Sequence, residues 1–180
     1  MHSKIAYQKD QFLPNFVRLR PHIIKTPLKT CKEHKIPNNS WVGTRSFELS
    51  VNRPFLFNYV MQAIGYLKLP FLSGRLEAQM FLHLRPKGSD ADGTDWIHRD
   101  DVENNAGFVP DFSALLYLND DNLESGTCLY NENQGVENDF KYVQNRLIIF
   151  SSEYFHKGYG YFGDSVENGR TTLNLFIKNM

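Results

Sequence analysis

FSALLYLND, residues 112–120, decides how the chain is read. Side chains alternate between faces along a strand, so Ser113, Leu115, Tyr117 and Asn119 fall on one face and Ala114, Leu116 and Leu118 on the other. One face is uniformly apolar; the other carries a serine, a tyrosine and an asparagine. Working outward, RLEAQMFLHLRP (75–86), WIHRD (96–100), TCLYNE (127–132), RLIIFSS (146–152) and RTTLNLFIKN (170–179) are runs of similar texture. Polar, glycine-containing stretches such as KGSDADGTD (87–95) and DDNLESG (120–126) separate them. Short strands at this spacing predict a mainly β fold, an antiparallel sandwich or jelly roll. In the last run Arg170, Thr172 and Asn174 share a face opposite Thr171, Leu173, Leu175 and Ile177. An arginine heading such a face suits a wet cavity inside the roll, and a solvent-exposed face would give the same pattern.

The first half reads differently. Residues 1–40 hold four of the eight prolines and a basic excess, which predicts an irregular N-terminal wrap with one edge strand. WVGTRSFEL (41–49) reads as a strand, and Asn52-Arg53-Pro54 as a helix start. FLFNYVMQAIGYL (55–67) is apolar on most faces and predicts a buried helix ending before Pro70. The expected organisation is one domain over residues 1–180, with 1–74 as wrap and supporting helix and 75–180 as the β core.

Lys and Arg together number 20, as do Asp and Glu, so net charge gives no reason to expect nucleic acid or an anionic membrane as partner. No apolar run approaches the length that spans a bilayer, and MHSKIAYQKDQF lacks a secretion-signal core, so the expected location is cytoplasmic. Cys31 and Cys128 are too few and too far apart for a disulfide framework or a CxxC metal site. Oligomeric state is not legible.

WIHRDD (96–101) carries the chemistry. On a strand His98 and Asp100 point to the same side and can chelate one ion, while Asp101 points away. The tripeptide alone is too short to be diagnostic. His156, directly after RLIIFSSEYF, supplies a second imidazole, and Arg170 opens the last strand. Two neutral imidazoles and a carboxylate form the facial triad that suits Fe(II), with positions left open for a co-substrate and O₂. A lone histidine after a strand is more often structural. The ordered set of H-x-D, distal His and Arg is what makes the reading specific.

Three passages give these residues a family likeness. WIHRDD, LLYLNDDNLESGTCLY (115–130), and NRLIIFSSEYFHKG (145–158) with GRTTLNLFI (169–177) resemble the 2-oxoglutarate- and Fe(II)-dependent dioxygenases, in their prolyl-4-hydroxylase-like branch. The resemblance implies a double-stranded β-helix with helices from the N-terminal half on its outside. It implies iron held by His98, Asp100 and His156, and Arg170 paired with the far carboxylate of 2-oxoglutarate. Tyr117 falls where the family places a tyrosine bonded to that carboxylate, and Thr172 where related enzymes carry a hydroxyl. The implied reaction hydroxylates a substrate C–H bond with release of succinate and CO₂, using O₂, with ascorbate a candidate reductant. Because Asp100 is present, hydroxylation is favoured over halogenation. The expected substrate is a prolyl or other residue of a peptide or protein; a free amino acid or small metabolite is the alternative. A non-catalytic jelly-roll metal-binding module is the reading from another class, and it has no need of Arg170 and Thr172. KGYGYFGDSVENG (157–169) is long and glycine-rich and reads as a flap. His83, Arg85, Trp96 and Arg99 are candidates for the cavity mouth.

Overall fold

Residues 4–36, 41–89, 96–102 and 107–180 are described by a computed structural model. In chain order the elements are β1 (Ala6–Lys9), α1 (Phe16–Ile24), β2 (Thr44–Arg45), α2 (Leu49–Asn52), α3 (Pro54–Tyr66), β3 (Leu76–Arg85), β4 (Phe112–Tyr117), β5 (Asn122–Tyr130), β6 (Val136–Tyr142), β7 (Leu147–Ser151), β8 (Phe155–Tyr159) and β9 (Arg170–Asn179). Six strands form one antiparallel sheet in the order β1-β7-β4-β9-β3-β2, and three form a second in the order β6-β5-β8. This is the double-stranded β-helix that the strand pattern and the resemblance led one to expect.

The alternation in FSALLYLND sets the layers. Ala114, Leu116 and Leu118 join Met80, Leu82, Leu173, Leu175 and Ile177 on the outer face of the larger sheet. There they meet Phe16 and Ile23 of α1 and Leu56, Val60 and Ile64 of α3. Leu56, Val60 and Ile64 recur every fourth residue, which puts them on one helical stripe, and Pro54 starts that helix where its missing N–H costs nothing. On the inner face Tyr117, Ile148 and Phe150 pack between the sheets against Leu129, Phe140 and Tyr142.

Several expectations need correction. Of WVGTRSFEL only Thr44–Arg45 is strand, and Leu49–Asn52 is helical. The pairing continues past Arg45 through a side chain: Ser46 N–H donates to Leu82 O, and Leu82 N–H donates back to Ser46 Oγ at 3.0 Å. The N-terminal wrap contains the edge strand expected and also α1, which tolerates Pro21 in its interior because Phe16 and Ile23 anchor it on the core. DDNLESG is not a turn alone; most of it lies in β5, where a register slip between Asn122 and Gly126 absorbs its irregularity. The polar stretch after TCLYNE contains β6, and the segment after RLIIFSS contains β8. From residue 90 onward the predicted loop 87–95 lies outside the described residues.

Candidate metal and carboxylate site

The ladder registers aim a polar row into the space between the sheets. Arg45 pairs with His83, His83 with Thr172, and Thr172 with Tyr117, so these four form one row across β2, β3, β9 and β4. One step along, Arg85 on β3 stands opposite Arg170 on β9. From the other side, His98 joins β8 through an isolated bridge: His98 N–H donates to His156 O at 3.1 Å, and His156 N–H to His98 O at 2.8 Å. Asp100 N–H follows, donating to Ser152 O at 3.1 Å. The strand alternation read in WIHRDD is thereby realised, and Asp101 pairs with Arg99 instead, at 3.2 Å.

His98, Asp100 and His156 converge, with one ligand-capable atom from each lying within 4.8 Å of the others. His98 Nδ1 donates to Trp96 O at 2.9 Å and His156 Nδ1 to Tyr154 O at 3.1 Å. A carbonyl can only accept, so each Nδ1 carries the ring hydrogen and each Nε2 presents its lone pair. Those lone pairs face Asp100, with Nε2–oxygen separations of 3.9 Å for His98 and 3.3 Å for His156. Burial drives the His156 pKa down to about 4 against the opposing pull of Asp100, which keeps the imidazole neutral, as a metal ligand must be. Two imidazole nitrogens and one carboxylate that converge in this way are a set that a divalent cation would complete. Behind them Ser113 Oγ donates to Asp100 Oδ2 at 2.7 Å and lies 3.1 Å from Ser152 Oγ.

Arg170 is buried at the other end of the cavity. Its Nη2 donates to Gly126 O at 2.9 Å and Thr127 Oγ1 at 3.0 Å, while its buried Nε has no acceptor among the described residues. The rings of Tyr117, Tyr142 and Tyr161 surround the guanidinium with centroids 5.9, 6.0 and 5.6 Å from its central carbon. Gly158, two residues along β8 from His156, leaves the cavity side of Arg170 open: a Cβ there would lie 2.9 Å from Nη2. An arginine with an orphaned donor beside a space kept clear by glycine fits a carboxylate.

Thr172 lines the cavity beside Arg170, with its hydroxyl donating to Asn174 Oδ1 at 2.6 Å. Tyr117 lies behind the wall. It is fully buried, stacks on Tyr142 at 4.5 Å, and donates its hydroxyl to Thr127 Oγ1 at 2.9 Å; burial pushes its pKa up to about 12. Thr127 is thus the node joining Tyr117 to Arg170, and it escaped the sequence reading, although Ser125, Thr127 and Leu129 alternate onto the inner face of β5.

Of the cavity-mouth candidates, His83 and Arg85 line the cavity, whereas Trp96 is half exposed and Arg99 covers the Phe155 ring at 5.2 Å. His83 Nε2 donates to Val42 O at 2.6 Å, and its ring is kept neutral by burial and by the charges of Arg45, Arg85 and Arg170. Arg45, also missed, lines the same cavity. The segment read as a flap is tied down. Tyr161 is buried beside Arg170 and donates to Gly158 O at 2.8 Å, and Arg20 and Asn119 hold the backbone at Val166, Glu167 and Gly169.

No protein-family profile matches the chain, and comparison with curated proteins finds no match. Solved structures do match in fold. A viral collagen prolyl hydroxylase from Paramecium bursaria chlorella virus-1 shares 13% identity at a TM-score of 0.62 over 99% of this chain and 98% of its own. An oxidoreductase of the 2OG-Fe(II) oxygenase family from Burkholderia pseudomallei gives 12% and 0.63 over 96% and 84%. A Trichoplax adhaerens prolyl hydroxylase, solved with a peptide fragment of the hypoxia inducible factor oxygen degradation domain, gives 15% and 0.54 over 97% and 83%. The chain therefore has the fold of the prolyl hydroxylases and 2OG-Fe(II) oxygenases, as the sequence resemblance implied.

Proposed function

We propose that the chain is an Fe(II)- and 2-oxoglutarate-dependent dioxygenase that hydroxylates a C–H bond of its substrate. One observation carries this reading: His98, Asp100 and His156 meet at one end of a cavity, and the buried, incompletely paired Arg170 stands at the other. Fe(II) and 2-oxoglutarate together supply the O₂ chemistry that puts one oxygen atom into the substrate and the other into succinate, with loss of CO₂. His98 and His156 would hold the metal through Nε2, and the carbonyls of Trp96 and Tyr154 fix both rings. Asp100 supplies the anionic ligand, steadied by Ser113.

Arg170 binds the far carboxylate of 2-oxoglutarate with a planar fork that cannot lose its proton. Thr172, which lines the cavity on the same face of β9 as Arg170, would lie beside that carboxylate. Tyr117 acts there through Thr127, because its hydroxyl is already engaged. Ile148 and Phe150 between the sheets, and Leu115 beside them, keep bulk water from the reacting centre. Titration of the anaerobic protein with Fe(II) and 2-oxoglutarate is expected to produce the visible charge-transfer band of the chelate, absent from His98→Ala. Failure of the wild-type protein to bind the pair removes the proposal, and succinate release with candidate substrates tests turnover.

A further inference from the structure

The wall formed by β2, β3 and β9 is cationic: Arg45, Arg85 and Arg170 all line the cavity, and Asp100 is the sole acid among the described lining residues. Arg85 and Arg170 are opposed across neighbouring strands, where like charges are ordinarily unfavourable. Arg85 Nη1 donates to the Tyr161 hydroxyl at 2.9 Å, and Arg170 has Gly126 O and Thr127.

Arg45 differs. Among the described residues its side chain makes no hydrogen bond or ion pair, and its Nε is buried without an acceptor. Aromatic faces hold it instead, with Trp41 at 4.5 Å and Phe81 at 5.4 Å from the guanidinium carbon. Its backbone is fixed by pairing with both Lys29 and His83. Burial and the charge of Arg85 pull its pKa down to about 10 while Asp100 pushes it back, so the group is cationic at neutral pH.

This step rests on the proposed function. With Fe(II) and dianionic 2-oxoglutarate bound, Asp100 and Arg170 complete an electrically neutral set; Arg85 and Arg45 stand outside it, Arg85 with the Tyr161 hydroxyl as acceptor and Arg45 with none among the described residues. A half-buried guanidinium whose buried Nε has no acceptor among the described residues is costly to maintain, and an anionic group on the remaining occupant of the cavity reduces that cost. A single planar fork flanked by Trp41 and Phe81 offers two parallel donors and one charge, the complement of a carboxylate; a phosphate would turn further oxygens toward the rings. We propose that Arg45 is the recognition residue for a carboxylate on the substrate, which is therefore an acid: a free amino acid or related small carboxylate, or the C-terminal residue of a peptide.

The test uses the anaerobic protein loaded with Fe(II) and 2-oxoglutarate and follows the shift of the charge-transfer band. Four probes are compared: an equimolar mixture of the free protein-forming amino acids, the same mixture as carboxamides, and a random-sequence peptide pool with free or amidated C-termini. The expected result is a shift with one or both of the free-acid probes and none with their amides. A shift with amino acids alone identifies a small acid, and one with free-acid peptides alone identifies a peptide terminus. Arg45→Gln should weaken the effect about tenfold or more, while changing 2-oxoglutarate affinity less than about threefold. Arg45→Lys should recover part of it.

Equal response to acids and amides, or no response to any probe from a protein that binds 2-oxoglutarate, overturns the assignment. So does loss of 2-oxoglutarate binding in folded Arg45→Gln, which would place Arg45 on the co-substrate. Failure of the wild-type protein to bind 2-oxoglutarate counts instead against the proposed function.

Discussion

Ser113 Oγ stands 2.7 Å from Asp100 Oδ2, on a strand of the opposite sheet from the one that His98 extends. The hydroxyl donates to one carboxylate oxygen and so fixes the plane in which the other can approach a metal. Ser113→Ala removes that donor without opening a large cavity. Partners of this kind are worth about 10- to 100-fold in metal affinity. The expected outcome is a loss in that range in anaerobic Fe(II) or Co(II) titrations, with circular dichroism and thermal midpoint close to wild type.

Gly158→Ala separates co-substrate binding from metal binding. The added methyl would sit 2.9 Å from Arg170 Nη2 and push the guanidinium from its place above Gly126 O and Thr127. Calorimetry should find 2-oxoglutarate affinity reduced about tenfold or more, on the scale of a disturbed charged hydrogen bond. Metal affinity measured without 2-oxoglutarate should hold, and a parallel fall in both would show that the two ends of the cavity are not independent.

Tyr142→Phe tests stability. Its buried hydroxyl donates to Thr171 O at 2.6 Å and accepts from Leu118 N–H at 3.2 Å and Asn119 N–H at 3.1 Å, tying three strand-end backbone groups together. Phenylalanine fills the same space but strands the Asn119 N–H, while Thr171 O and Leu118 N–H keep only their bond to each other at 3.1 Å. A loss of about 2 kcal/mol is expected from chemical denaturation. A change within experimental error would mean that water replaces the hydroxyl.

The metal-free protein should lose stability as pH falls from about 6.5. His83 and His156 both have folded-state pKa values below the ordinary 6.5, His156 at about 4, because burial disfavours the charged ring. The unfolded chain therefore takes up protons first. Their contribution is complete above pH 6.5 and is withdrawn on the way down to pH 4, by up to roughly 3 kcal/mol for a shift the size of that at His156. His83→Gln, which keeps a donor for Val42 O, should flatten the pH profile of urea midpoints over that window. An unchanged slope would show that His83 is not the titrating group.

The parts of the site legible in sequence were those governed by short-range periodicity. His98 and Asp100 share a face because strands alternate, and Arg170, Thr172 and Asn174 line the cavity for the same reason. Arg45 was hidden because its strand is two residues long and its neighbours Lys29 and His83 are remote in sequence. Thr127 and the hydroxyl of Tyr117 depend on how the two sheets face each other, which no local pattern encodes. β6 was missed because Glu137 and Asp139 point outward and make VENDFKY read as loop, although Phe140 and Tyr142 turn into the core. α1 was obscured by Pro21 in a proline-rich stretch, where tertiary anchoring outweighs propensity.

The reciprocal backbone bridge between His98 and His156 makes two of the proposed metal ligands also the fastening of the His98 segment onto β8. Opening that bridge separates the ligands, and separating the ligands opens the bridge. Occupancy of the site is therefore coupled to local unfolding: a bound ion shifts the opening equilibrium of the His98 and His156 amides by the mass action of its own affinity. Slowed hydrogen exchange at those two positions, more than at the edge strand β1, is how the rest of the molecule would register that the centre is filled.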